Sequence, residues 1–186
     1  MNKVVLVIVS LILGSLTLQA QQSSCRKLIS ASKTNSINTV KELLKTVNPN
    51  CKFVSGEPRT PLVAASRKGH IEIVKLLVNA KANINFHARG DETSLIAASA
   101  NNHIELVSYL IKKGAKININ LNGDGTALIA AVRNNNYKIA KTLLENGANP
   151  STITRGDEYA MYHARMKSNK AMITLLNSYE NKNSRN

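Results

Sequence analysis

No tryptophan occurs in the 186 residues, and Phe and Tyr together make up only 4% of them. Compact cores and adhesive recognition surfaces usually lean on aromatic area, so packing here must rest on Leu, Ile, Val and Ala. Acidic residues are also scarce, 11 Asp plus Glu against 25 Lys plus Arg, and there are two cysteines, Cys25 and Cys51. Catalytic patterns are missing too. The chain has no nucleophile elbow, no His-Glu-x-x-His and no phosphate loop, because Gly123-Asp124-Gly125 lacks the downstream glycine. The four histidines never fall at ligand spacing with a carboxylate or thiolate, so neither a metal nor a cofactor is expected. Neither cysteine has a histidine near it in register to activate it. These absences point away from an enzyme. What is present is 43% apolar content, a globular level that excludes disorder as the general state.

Positions 1–20 read as a leader rather than as part of the fold. Lys3 gives a positive start, residues 4–18 are apolar apart from Ser10, Gly14, Ser15 and Thr17, and Leu18-Gln19-Ala20 offers a small residue at a cut. That three-part layout is a secretory signal peptide, with cleavage expected after Ala20. A permanent anchor is the alternative, but the run is shorter than the roughly 20 residues a spanning helix needs. Acylation at Cys25 fits less well, because Gln22-Ser23-Ser24 is a poor lead-in. A periplasmic or secreted product without a stable membrane span is therefore expected.

Cleavage would remove Lys3 alone, leaving 24 Lys plus Arg against 11 Asp plus Glu, a net of +13. A charge of that size suits an acidic partner or an anionic surface. Nucleic acid is not the expected partner, given export and the lack of aromatic rings for base stacking. The plain alternative is a solvated basic surface with no dedicated partner.

An internal repeat organises the rest. Thr60, Thr93 and Thr126 are evenly spaced, and Leu62, Leu95, Leu128 and Met161 follow the same interval, as do the pairs Ala64-Ala65, Ala97-Ala98 and Ala130-Ala131. That interval counted back from Leu76-Leu77 lands on Leu43-Leu44, and from Asn83 on Asn50, which puts a degenerate first unit near Cys25. Each unit reads as two short helices and a turn. Thr60-Pro61 supplies a capping hydroxyl and an N-terminal proline, Lys68-Gly69 breaks the first helix, and residues 71–78 form the second. Such helices are too short to be stable alone and must stack on their neighbours.

Residues 56–85, 90–118 and 123–149 resemble ankyrin repeats, and the resemblance extends over roughly 27–177. It implies an all-α solenoid of helix pairs with β-hairpin fingers, in five units. The expected divisions are a leader at 1–20, an N-terminal cap at 21–56, three repeats at 57–155, a C-terminal cap at 156–178 and a disordered tail at 179–186. The variant resembles the repeats of exported bacterial proteins. It departs from the common pattern where Val63, Ile96, Ile129 and Tyr162 replace the usual His, and where His163 replaces Ala.

By that resemblance His70 and His103 are structural hydrogen-bonding residues, His87 is a finger residue and His163 a cap residue. Arg89-Gly90-Asp91 and Arg155-Gly156-Asp157 spell the tripeptide that integrins read, but the third finger has Asn122-Gly123-Asp124 instead. A recurring Gly-Asp is explained more simply as turn chemistry. The family's variable contact positions fall on Arg59, Arg67, Lys68, Arg89, Glu92, Asn101, Arg133, Asn134, Arg155, Glu158 and Lys167. Seven of these are basic and two acidic, so a basic concave groove is expected to meet an acidic protein. The resemblance also implies that Cys25, placed just before the first helix, and Cys51, placed just after the second, approach within disulfide reach. The expected role is that of a monomeric, non-catalytic adaptor or immunity-type inhibitor. Attachment to anionic envelope polymers through the net charge is the alternative.

Overall fold

A computed structural model describes residues 3–53, 60–87, 92–121, 123, 125–154 and 159–183, without the side chains of 3–13, 15–17, 182 and 183. Helix follows helix in pairs. The first helices are α1 (Lys3–Lys33), α3 (Pro61–Lys68), α5 (Ser94–Ala100), α7 (Ala127–Arg133) and α9 (Ala160–Met166). The second helices are α2 (Ile37–Leu43), α4 (Ile71–Asn79), α6 (Ile104–Lys112), α8 (Tyr137–Glu145) and α10 (Lys170–Asn183). The first helices pack one on the next from α1 to α9, and most second helices form a looser row behind them.

Local chemistry sets the first helices. Thr60, Thr93 and Thr126 accept a hydrogen bond at Oγ1 from the backbone N–H three residues on, at 3.3, 3.2 and 3.2 Å. Tyr159 has the same place in the last unit but makes no side-chain cap. The paired alanines of the three middle units are fully buried, because a methyl is small enough to let neighbouring helices close on one another. Val63, Ile96 and Ile129, which stand where the family pattern has His, are likewise buried, so those units stack through apolar contact at that point. Tyr162, at the same place in the fifth unit, is 40% exposed.

Each first helix of the four later units ends on a left-handed residue: Gly69, Asn102, Asn135 and Ser168, with φ between 51 and 73°. Asn35 does the same after α1, at φ 57°. Asparagine tolerates this region better than most side chains. At Gly69 more is required, because a Cβ there would lie 2.5 Å from Nδ1 of His103 in the next unit. Beyond this turn a ladder crosses the units. His70 Nε2 donates to the Lys33 carbonyl and His103 Nε2 to that of Arg67, both at 3.2 Å. In the next unit Asn136 takes the same role, donating to the Ser99 carbonyl at 2.8 Å.

Asparagines form a second ladder after the second helices. Asn118 donates to the Gly147 carbonyl and accepts from the Asn149 N–H, both at 2.9 Å. Asn85 repeats this with Gly114 and Lys116, and Asn50 with Lys81 and Asn83. These bonds satisfy loop backbone groups that no regular element reaches.

Three sequence expectations are corrected. The first unit runs one residue out of the assumed register. Ser36 N–H donates to Ala31 as His70 does to Ala65, and Val40 N–H to Ser36 as Val74 does to His70, so Leu43 matches Leu77 rather than Leu76. Its exit loop is tighter still, since Asn48 accepts from the N–H of Asn50 as Asn83 accepts from that of Asn85, which pairs Asn83 with Asn48 and not with Asn50. Cys25 lies inside α1 rather than before the first helix, because α1 continues unbroken from Lys3. Of the finger residues that are described, Leu121 and Gly125 form an antiparallel bridge. Finally, α10 continues to Asn183, through residues assigned to the tail.

Cys25 and Cys51 are joined by a disulfide across Cα atoms 5.8 Å apart. The bond ties the exit loop of the first unit to α1. Around it, Ile29, Ala64 and Phe53 make a small apolar cluster, and the Arg26 guanidinium lies 5.5 Å from the Phe53 ring centre. Among the described residues no helix is long and apolar enough to cross a membrane. The side chains of most of the apolar run at 4–18 lie outside that description.

Candidate partner-binding surface

The variable positions sit at the C-terminal ends of the first helices and at the loops entering them. Lys68, Asn101, Asn134 and Lys167 are exposed at successive helix ends, and Arg67 and Arg133 precede two of them, each half-buried. Arg59, Arg89, Arg155 and Glu158 lie outside the described residues. The structure therefore brings the helix-end members into one row, at equivalent positions of successive units.

Within that row the charges are not all available. Arg67 Nε donates to Glu92 Oε1 at 2.6 Å, with the Glu92 side chain 10% exposed and that of Arg67 30% exposed. Two members of the expected binding set are thus bound to each other across adjacent units. A burial this deep needs a paired cation to hold the carboxylate ionised. In the third unit the residue matching Arg67 is Ala100, and the residue one repeat after Glu92 is Gly125, so both partners are absent together.

Asn101 and Asn134 are also partly committed. Each donates from Nδ2 to the carbonyl four residues back, Ala97 and Ala130, at 2.9 Å, closing its own helix end. Lys68 and Lys167 keep exposed ammonium groups with no ion pair among the described residues. Arg133 makes none there either. Two residues of this surface went unremarked in the sequence: Lys33, which matches Arg67 one unit earlier, and Met166 in the fifth unit, 69% exposed; Tyr162, noted there as a departure from the family pattern, is 40% exposed. Lys33 could have been found from the left-handed turn that follows it at Asn35, the signal that fixes the register.

The second helices carry the other five described carboxylates, and three of these are matched locally. Glu42 pairs with Lys45 and Glu72 with Lys75, both at 2.7 Å, and Glu145 with Lys141 at 3.9 Å. The Glu72 hydrogen bond and charge hold the Lys75 ammonium above its ordinary pKa. Such exposed pairs add little to stability, but they cancel charge on that side of the molecule. Among the described residues no three His, Cys, Asp or Glu side chains gather as a metal site would require.

A family model for ankyrin repeats, in three copies, matches residues 27–121 and again 84–154. This chain belongs to the ankyrin-repeat family. No curated protein matches it. The capped helix pairs, the left-handed turns and the two inter-unit ladders are how this ankyrin-repeat chain builds its stack. Ankyrin repeats are protein–protein interaction modules and generally carry no catalysis of their own, which makes the chain a protein-binding module.

Proposed function

We propose that this ankyrin-repeat protein is an exported, non-catalytic adaptor or immunity-type inhibitor that binds an acidic protein. The observation that carries the reading is the imbalance of charge: most described carboxylates are already held by a cation, while Lys33, Lys68, Arg133 and Lys167 make no ion pair among the described residues. Excess positive charge steers association with an acidic surface. Export is supported by the apolar leader and by the disulfide, since such bonds persist in oxidising compartments. The proposed product begins at Gln21, acts as a monomer in the periplasm or outside the cell, and contacts its partner through residues of the variable set.

The test is capture of partners from the cell envelope on immobilised protein beginning at Gln21, washed with rising salt. Retention of a discrete acidic protein, released by moderate salt, is the expected result. Recovery of wall or membrane polymer in its place, released over the same salt range, would support attachment to an anionic envelope surface instead.

A further inference from the structure

Position along the helices separates the two signs of charge. Six of the 11 carboxylates, Glu57, Asp91, Glu92, Asp124, Asp157 and Glu158, belong to the segments that lead into the first helices, where Arg59, Arg89 and Arg155 are fewer. At the other end of each first helix, roughly 12 Å away for eight residues, the sequence changes sign. There the two helix-end positions read Lys33-Thr34, Arg67-Lys68, Ala100-Asn101, Arg133-Asn134 and Met166-Lys167 in successive units. Every unit but the third contributes a cation, and none contributes a carboxylate. Arg165 and Lys170 add exposed charge at the last turn and Lys138 follows the fourth, whereas Glu105 follows the third; Glu72, at the same place after the second turn, is held by Lys75.

We infer that the acidic partner presents an extended segment along this turn edge, and not across the entering loops, with its carboxylates in two blocks separated by a neutral middle. The inference rests on the proposed acidic partner and adds where and how it binds. Stacked helices lie about 10 Å apart, so the five turns span some 40 Å. An extended peptide of about 12 residues covers that distance. Its ends would meet Lys33 with Lys68, and Arg133 with Lys167, while its centre passes Ala100 and Asn101. A carboxylate at the centre would face Glu105 instead of a cation. Arg67 adds little to this edge, because Glu92 holds its guanidinium.

The experiment uses the oxidised chain beginning at Gln21 and two fluorescein-labelled peptides of equal length and equal charge. One carries three glutamates at each end with serines between; the other carries all six at its centre. Fluorescence anisotropy at about 50 mM salt, where screening is mild, reads the affinities. The two-block peptide should bind about threefold tighter or better, as several weak pairs are gained together. Changing Lys33→Glu, Lys68→Glu and Lys167→Glu together should weaken it about tenfold or more, and Arg59→Glu, Arg89→Glu and Arg155→Glu together less than about twofold. All three lysines are exposed, and an unchanged helical circular dichroism spectrum confirms that each variant folds. Equal affinity for the two peptides, or a larger loss from the Arg59 set, overturns the edge assignment while leaving an acidic partner in place. Failure of both peptides to bind overturns the acidic partner itself. Tighter binding to inorganic polyphosphate of matched charge overturns a peptide as the occupant.

Discussion

Arg67 and Glu92, contributed by adjacent repeats, meet at 2.6 Å with the carboxylate almost enclosed. The pair therefore acts between units more than toward a partner. Replacing Arg67 with Ala should cost about 1–2 kcal/mol, less than for a fully buried pair because the guanidinium is partly solvated. Removing both side chains together should cost less than the sum of the single changes. Urea unfolding of the two single variants and the double variant measures the coupling; additive losses would show that the two groups act independently.

Gly69 offers a sharper test of inter-unit geometry. Gly69 and Gly147 both have positive φ, 73° and 90°, but of the two only Gly69 would bring a Cβ against another unit, at the His103 ring. Gly147→Ala should cost about 1 kcal/mol for the left-handed backbone alone. Gly69→Ala should cost at least about 1 kcal/mol more, since His103 must move and its bond to the Arg67 carbonyl is disturbed. Equal midpoints for the two variants in thermal unfolding would contradict this.

Ser66 and Ser99 occupy one repeat position, both fully buried, and neither hydroxyl has a hydrogen-bond partner among the described residues. The fourth unit has Val132 there. Ser66→Ala and Ser99→Ala should therefore each stabilise the fold by about 1 kcal/mol, by removing a desolvated polar group while keeping most of the volume. Calorimetry should show a rise of about 2–4 °C for each. A fall in either would mean that the hydroxyl is satisfied in solution.

Reduction of the Cys25–Cys51 bond should loosen the start of the stack before the rest. Opening a closed loop of this size removes about 2–4 kcal/mol from the element it constrains. Because the bond joins residues of the first unit, amide exchange should quicken across 25–53 and change little in α7 and α8. Uniform acceleration along the chain would indicate that the stack opens as one cooperative body.

The stack was legible in the sequence wherever a unit carries its own signals. Thr60, Thr93 and Thr126 were readable as caps because a hydroxyl before an apolar helix acts within its own turn. The first unit misled by one residue because Leu43-Leu44 and Leu76-Leu77 look alike, and only the turn at Asn35 fixes which leucines correspond. The asparagine ladder was not legible. Asn50, Asn85 and Asn118 are ordinary loop residues by composition, and their bonds reach backbone groups in the next unit. The candidate surface was half legible for the same reason. Positions such as Lys68 and Lys167 follow from register, but the capture of Arg67 by Glu92 crosses from one unit to the next and matches no period within a unit.

Among the described residues the hydrogen bonds between units, from the His103–Arg67 bond to the Asn118–Asn149 bond, each join one unit to the next and reach no further. Length is therefore a counted quantity here. Duplicating a middle unit such as 93–125 would extend the molecule by about 10 Å and rebuild the same junction on both sides, leaving the two ends as they were.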